Sequence, residues 1–279
     1  MTKRRPTRVD SGIARAFELA GREDRAAFVP FLMAGDPDLE TSAELVGSLA
    51  AAGADVVELG VPFSDPIADG PVNQAAASRA LAGGTTLERI LETVAKLRSR
   101  THVPVVLFSY FNPILRYGLE RFAEHAAASG VDGVLCVDLP PEEAAAEYLP
   151  TLSVHGLDAI FLLSPTSGRE RVRGVARVGS GFVYYVSRTG VTGERGELPE
   201  ELAGEVAGAR RALKLPVAVG FGISTPEQAA RVARIADGVV VGSALVRLVA
   251  EHAGGGDLHD LVRAFAARMV AATRRGDRG

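Results

Sequence analysis

A strand-then-helix alternation recurs along the whole chain, and few folds accept it. Short apolar runs rich in valine occupy Phe28–Met33, Asp55–Gly60, Val103–Ser109, Val131–Val137, Leu157–Leu162, Gly181–Val186, Val217–Gly220 and Gly238–Val241. Runs of this kind read as strands buried on both faces, as in a parallel sheet covered by helices. Between them, apolar residues recur three and four apart: Leu45, Leu49 and Ala52, then Ile90, Val94 and Leu97, then Leu202, Val206, Ala209 and Leu213. That is the period of helices with one buried face. Eight strands, each followed by helical sequence, predict a closed (β/α)8 barrel, the TIM-barrel class. A helix over Ile13–Arg22 is expected to cover the barrel floor. The alternative, a doubly wound open sheet, would bring a glycine-rich dinucleotide turn after the first strand, and Ala34-Gly35-Asp36-Pro37 is not one.

The connections repeat as well. Ala52-Gly53-Ala54-Asp55-Val56-Val57 is echoed by Ser129-Gly130-Val131-Asp132-Gly133-Val134 and more weakly by Ala236-Asp237-Gly238-Val239-Val240. Glycine ends a helix in the left-handed region and a turn then feeds the next strand. At 279 residues, with no linker or shift in composition, the chain is expected to form one domain over 1–279. Residues 1–10, which carry Lys3-Arg4-Arg5 and Arg8, are expected to be a mobile tail. A net charge of -3 leaves no basic footprint for nucleic acid. One cysteine allows no internal disulfide and fits a reducing compartment. No stretch reaches the ~20 apolar residues of a membrane helix, and no secretory signal opens the chain. The expectation is a soluble cytoplasmic protein.

In such barrels chemistry sits where strands end. Glu58 is a carboxylate in an otherwise apolar strand, where burial raises its pKa or demands a partner. Structural satisfaction by backbone donors would also account for it. Asp65 and Asp69 follow in a proline-restricted loop, and aspartates in loops are commonly turn formers. Glu58 with Asp69 is the better candidate acid/base pair. Glycine-rich turns end the last three strands: Ser187-Arg188-Thr189-Gly190-Val191-Thr192-Gly193, Gly220-Phe221-Gly222-Ile223-Ser224, and Val241-Gly242-Ser243-Ala244. Glycine lets backbone N–H groups approach an anion, and a helix N-terminus favours one, so a phosphate site is expected there. The three lysines, Lys3, Lys96 and Lys214, lie away from the active face, which disfavours a Schiff base. His102, His125, His155, His252 and His259 show no ligand spacing, which disfavours a zinc-dependent cleavage. Cys136 reads as a core residue.

Three of these segments together resemble the tryptophan synthase α subunit family: Phe28-Val29-Pro30-Phe31 with Gly35-Asp36-Pro37; Glu58 through Pro71; and Ser187 through Gly193. The likeness runs from about Phe28 to Ser243. It implies retro-aldol cleavage of indole-3-glycerol phosphate to indole and glyceraldehyde 3-phosphate, with no metal or cofactor in this subunit. It also implies Glu58 and Asp69 as catalytic carboxylates, with Tyr184 beside them. Gly193, Gly222, Gly242 and Ser243 match phosphate-binding positions, and Phe31, Tyr110, Thr192, Phe221 and Ile223 match the wall of the indole pocket. The Arg188–Pro199 segment corresponds to a lid over the substrate. The implied partner is a pyridoxal-phosphate β subunit in an αββα complex, faced by Pro62, Asp65 and Asn112-Pro113 in loops at the barrel mouth. A stand-alone indole-releasing lyase and a non-catalytic barrel that activates a partner stay open, with a phosphosugar isomerase more distant.

Overall fold

The computed structural model describes residues 11–186, 200–220 and 222–276. Eight parallel strands close on themselves in sequence order: β1 (Ala27–Met33), β2 (Val57–Gly60), β3 (Val105–Ser109), β4 (Gly133–Cys136), β5 (Asp158–Leu163), β6 (Val183–Val186), β7 (Val217–Gly220) and β8 (Gly238–Val241). The helices are α1 (Gly12–Arg22), α2 (Leu39–Ala51), α3 (Pro71–Ala82), α4 (Leu87–Leu97), α5 (Phe111–Tyr117), α6 (Leu119–Ser129), α7 (Pro141–Ala144), α8 (Tyr148–Val154), α9 (Arg169–Val178), α10 (Glu200–Leu213), α11 (Pro226–Ala233), α12 (Ser243–Glu251) and α13 (Leu258–Ala272). All eight expected strands are present, and β7 and β8 keep their expected bounds. Several others start later than their apolar runs, because the residues ahead of them are spent on connections.

Alternate residues of each strand serve two cores. Phe28, Leu32, Val57, Leu59, Leu107, Val134, Phe161 and Val219 face the helices. Val29, Val56, Val106, Leu135, Ile160, Phe182, Ala218 and Val240 fill the barrel interior together with Ile13 and Phe17 of α1. The α1 helix therefore plugs the floor, as the sequence predicts. Two glycines make room for it: a Cβ at Gly133 would lie 2.9 Å from Ile13 Cδ1, and one at Gly238 would lie 2.8 Å from Phe17 Cε1. The Phe17 ring stacks on Phe182, with centroids 5.2 Å apart.

The repeated connections have a common physical role. Gly53 (φ 98°) and Gly130 (φ 85°) take the left-handed region that ends α2 and α6. The aspartate of each repeat then accepts a backbone N–H from the strand just before it: Asp55 from Phe28 at 2.7 Å, Asp132 from Val105 at 2.8 Å and Asp237 from Val217 at 3.0 Å. Each also pairs with a guanidinium, from Arg25, Arg98 and Arg210 respectively. These clamps satisfy an N–H at the strand start that the ladder leaves over, and they lock strands in pairs.

Candidate active site

Glu58 lies on the inner face of β2, in register with Phe31 of β1 and Val106 of β3. Its side chain is fully buried, and neither carboxylate oxygen has a hydrogen-bond partner among the described residues. Burial alone pushes its pKa up to about 8. Backbone donors in the barrel, the structural explanation for a carboxyl here, do not contact it. A neutral carboxyl at physiological pH, held without a competing partner, is equipped to give up a proton. Phe31 packs edge-on against Phe108 at 5.4 Å, and Gly60 leaves room for it: a Cβ there would sit 2.6 Å from the Phe31 ring.

Asp69 closes the loop that links β2 to α3. It is half-buried, and its Oδ2 accepts a hydrogen bond from the Tyr110 hydroxyl at 3.0 Å. The same hydroxyl accepts from the Ala68 N–H at 2.9 Å, so Tyr110 grips this loop as well as facing it. Burial pushes the Asp69 carboxyl up, and hydrogen bonds from Tyr110 and Asn73 oppose that shift. Tyr110 in turn tilts against Phe63 at 5.2 Å.

Tyr184 projects inward from β6. Its phenol is pushed far up by burial and secondarily by the charge of Glu58, so the two share one interior. The Tyr184 hydroxyl occupies the space that a Cβ on Gly220 would fill. Gly222, at φ 76°, continues from β7 in the left-handed region, and Gly242 caps α12 without a side chain, leaving the helix's first turn, from Ser243, open to an anion. Ile223 is buried in the layer between sheet and helices.

The structure therefore brings Glu58, Phe31 and Tyr184 together on the barrel's inner face, with Asp69 and Tyr110 joined in the loops at its mouth. Thr192, Gly193, Phe221, Arg188 and the rest of the Arg188–Pro199 lid lie outside the described residues, as do residues 1–10. Of the expected partner-facing positions, Asp65 is exposed and Pro62 is buried. Asn112-Pro113 does not lie in a loop, which corrects the sequence expectation. It forms the first turn of α5, where proline's missing N–H costs no hydrogen bond. The turn is fixed by Asp138, which accepts the Phe111 N–H at 2.8 Å. Likewise Pro71 is the first residue of α3 and not part of the preceding loop.

Three residues around the site escaped the sequence reading. Asp36, almost fully buried, pairs in two parallel bonds of 2.8 Å with Arg79 of α3. Gln74 reaches back from α3 to the loop carrying Asp69. Asn73 adjoins Asp69 and keeps a buried Oδ1 without a hydrogen bond among the described residues. Asn73 and Gln74 stand in the first turn of α3, which begins Gly70-Pro71 with no capping side chain of its own. Cys136 faces the helices with its thiol pushed up by burial, as a core residue does. Among the described residues no group of His, Cys, Asp and Glu could hold a metal, and no helix is long and apolar enough to cross a membrane.

A family profile described as Tryptophan synthase alpha chain matches residues 17–272. The chain belongs to the tryptophan synthase alpha chain family. The alpha chain of Geobacter sulfurreducens is 59% identical over 85% of this chain and 90% of its own length. That of Citrifermentans bemidjiense is 54% identical over 96% and 100%. Among solved structures, the tryptophan synthase alpha subunit of Legionella pneumophila superposes with a TM-score of 0.87 at 38% identity, covering 94% of this chain and 98% of that one. Tryptophan synthase from M. tuberculosis gives 0.84 at 34% identity over 95% and 99%. The family's reaction, cleavage of indole-3-glycerol phosphate to indole and glyceraldehyde 3-phosphate, is the activity of this alpha chain.

Proposed function

We propose that Glu58 moves the protons of this cleavage and that Asp69 holds the indole ring while it does so. The observation that carries the reading is the buried, unpartnered Glu58 carboxyl, pushed up to about 8. Indole is a poor carbanion leaving group, so the carbon–carbon bond breaks only after C3 of the ring is protonated. Neutral Glu58 delivers that proton, which turns the ring into a cationic electron sink. Asp69 accepts the indole N–H and balances the positive charge. The Glu58 carboxylate then takes the proton of the hydroxyl on the adjoining carbon. Its electrons form the aldehyde, the bond to C3 breaks, and neutral indole leaves. Two carboxyls in different environments thereby hold different protonation states at one pH. Tyr184 lies beside Glu58 in the same buried interior.

Gly193, Gly222, Gly242 and Ser243 would take the substrate phosphate, which the open first turn of α12 supports. Phe31, Tyr110, Thr192 and Phe221 would line the indole pocket, and Arg188–Pro199 would close over it. The partner in this reading is a β subunit carrying pyridoxal phosphate, in an αββα assembly in the cytoplasm that uses the released indole. This chain itself needs no cofactor, since carboxylates suffice for the proton transfers. Exposed Asp65 and Asn112 would mark the docking face, with buried Pro62 beneath it. Exposed Ile67 and Leu115, beyond the ends of β2 and β3, support it by adding apolar area at the same end of the barrel. Turnover of Glu58→Gln and Asp69→Asn tests the assignment. Each should lose at least about 100-fold in kcat, and near-normal turnover of either removes that residue from the mechanism.

A further inference from the structure

The loop bearing Asp69 carries three restrictions on how it can be held. Prolines stand at 62 and 66 in the loop and at 71 where α3 begins, so their nitrogens donate no hydrogen bonds. The N-cap of α3 is Gly70, which has no side chain to close the helix's first turn. The helix beyond it is anchored independently by the Asp36–Arg79 pair. Two residues of α3 tie the helix to the loop: Asn73, hydrogen-bonded to the Asp69 side chain, and Gln74, which holds its main chain. Its backbone N–H donates to the Gly70 carbonyl at 3.0 Å, and its side-chain Nε2 donates to the Asp69 carbonyl at 2.8 Å and the Pro66 carbonyl at 3.4 Å. One residue thus holds successive points of the segment, including the main chain of Asp69 itself. Tyr110 grips the same place from the other side, through Ala68 N–H and Asp69 Oδ2.

We infer that Gln74 is a positioning residue for the reaction: its amide ties the first turn of α3 to the loop and sets where the Asp69 carboxylate stands relative to the indole N–H. This rests on Asp69 acting on the ring as proposed above. Gln74 bonds the main chain of Asp69 and not its carboxylate, so its loss moves the aligned carboxylate without removing it. Misalignment is felt when charge develops on the ring, which puts the effect on kcat more than on KM.

The chemistry of the side chain separates this from a general contribution to folding. Gln74→Met keeps length and loses the donor. Gln74→Glu keeps the shape, can donate only when protonated, and when ionised sets a negative charge against the Asp69 carbonyl. Steady-state indole release from indole-3-glycerol phosphate, measured from pH 5 to 8 with thermal unfolding alongside, reads both. Gln74→Met should lower kcat roughly three- to tenfold at every pH, with KM within about twofold. Gln74→Glu, ionised across this range as an ordinary glutamate is, should fall below Gln74→Met in kcat at every pH. Asp69→Asn, run in parallel, keeps the two readings apart. If Asp69→Asn is impaired while both Gln74 variants match wild type in kcat at every pH, Gln74 has no positioning role. If Asp69→Asn turns over normally, the assignment of Asp69 fails and the inference falls with it. A Gln74 loss confined to unfolding temperature, with kcat intact, also overturns it.

Discussion

Glu58 gathers the most consequences into one side chain. Its folded-state pKa of about 8 lies above the ordinary 4.5, so the folded protein binds a proton that the unfolded chain has already released. The stability tied to that proton is whole below pH 4.5 and is lost as pH rises toward 8, at about 1.4 kcal/mol per pH unit. Urea unfolding at pH 6 and pH 8 should show Glu58→Gln losing less stability than wild type over that interval. Equal losses would place the proton elsewhere. The same group predicts that kcat/KM declines above about pH 8 as the free enzyme loses its acid. Gly220 tests the neighbouring geometry. An added methyl would meet the Tyr184 hydroxyl and approach Val240 Cβ to 2.9 Å. Gly220→Ala should therefore cost about 1–3 kcal/mol in urea unfolding and lower kcat/KM as well. Glu58 was legible in the sequence because a charge inside an apolar strand stands out. Gln74, Asn73 and the Asp36–Arg79 pair were not, since a polar residue's type does not tell which group it will meet.

At the level of elements, periodicity revealed nearly all of the barrel. Strand starts drifted for one reason: the aspartates and glycines ahead of β2 and β4 belong to clamps and helix ends, though they adjoin apolar runs. The repeated Gly–x–Asp connections were visible as pattern, and their meaning emerged only when each aspartate was seen to take a backbone N–H from the strand before. Removing one such acceptor orphans that N–H and a guanidinium together. Asp132→Ala should cost about 2 kcal/mol, read by urea unfolding, with little effect on KM because the clamp lies at the floor. The α1 plug makes a larger demand. Phe17 stacks on Phe182 across the barrel base, and Phe17→Ala should cost about 3–5 kcal/mol. The short helix α5 was missed for the opposite reason, since Asn112-Pro113 has the composition of a turn and proline suits a first helical turn equally well.

Over the whole molecule, the division of labour follows the barrel axis. The floor is sealed by α1 and braced by the clamps, while the mouth carries Asp69, Tyr110 and the glycine turns, with Ile67 90% exposed beside them. A rigid base under a chemically active rim suits the proposed hand-over of indole to a partner docked on that rim. In the proposed function Glu58 transfers protons on its own, and docking of the partner would raise the rate by ordering the mouth around it. Indole release from indole-3-glycerol phosphate, with and without a tryptophan synthase β subunit, tests this most directly. The account predicts slow release by the isolated chain, rising at least ~10-fold with the partner, equivalent to about 1.4 kcal/mol of barrier. Absence of indole release by folded protein in both conditions would contradict it.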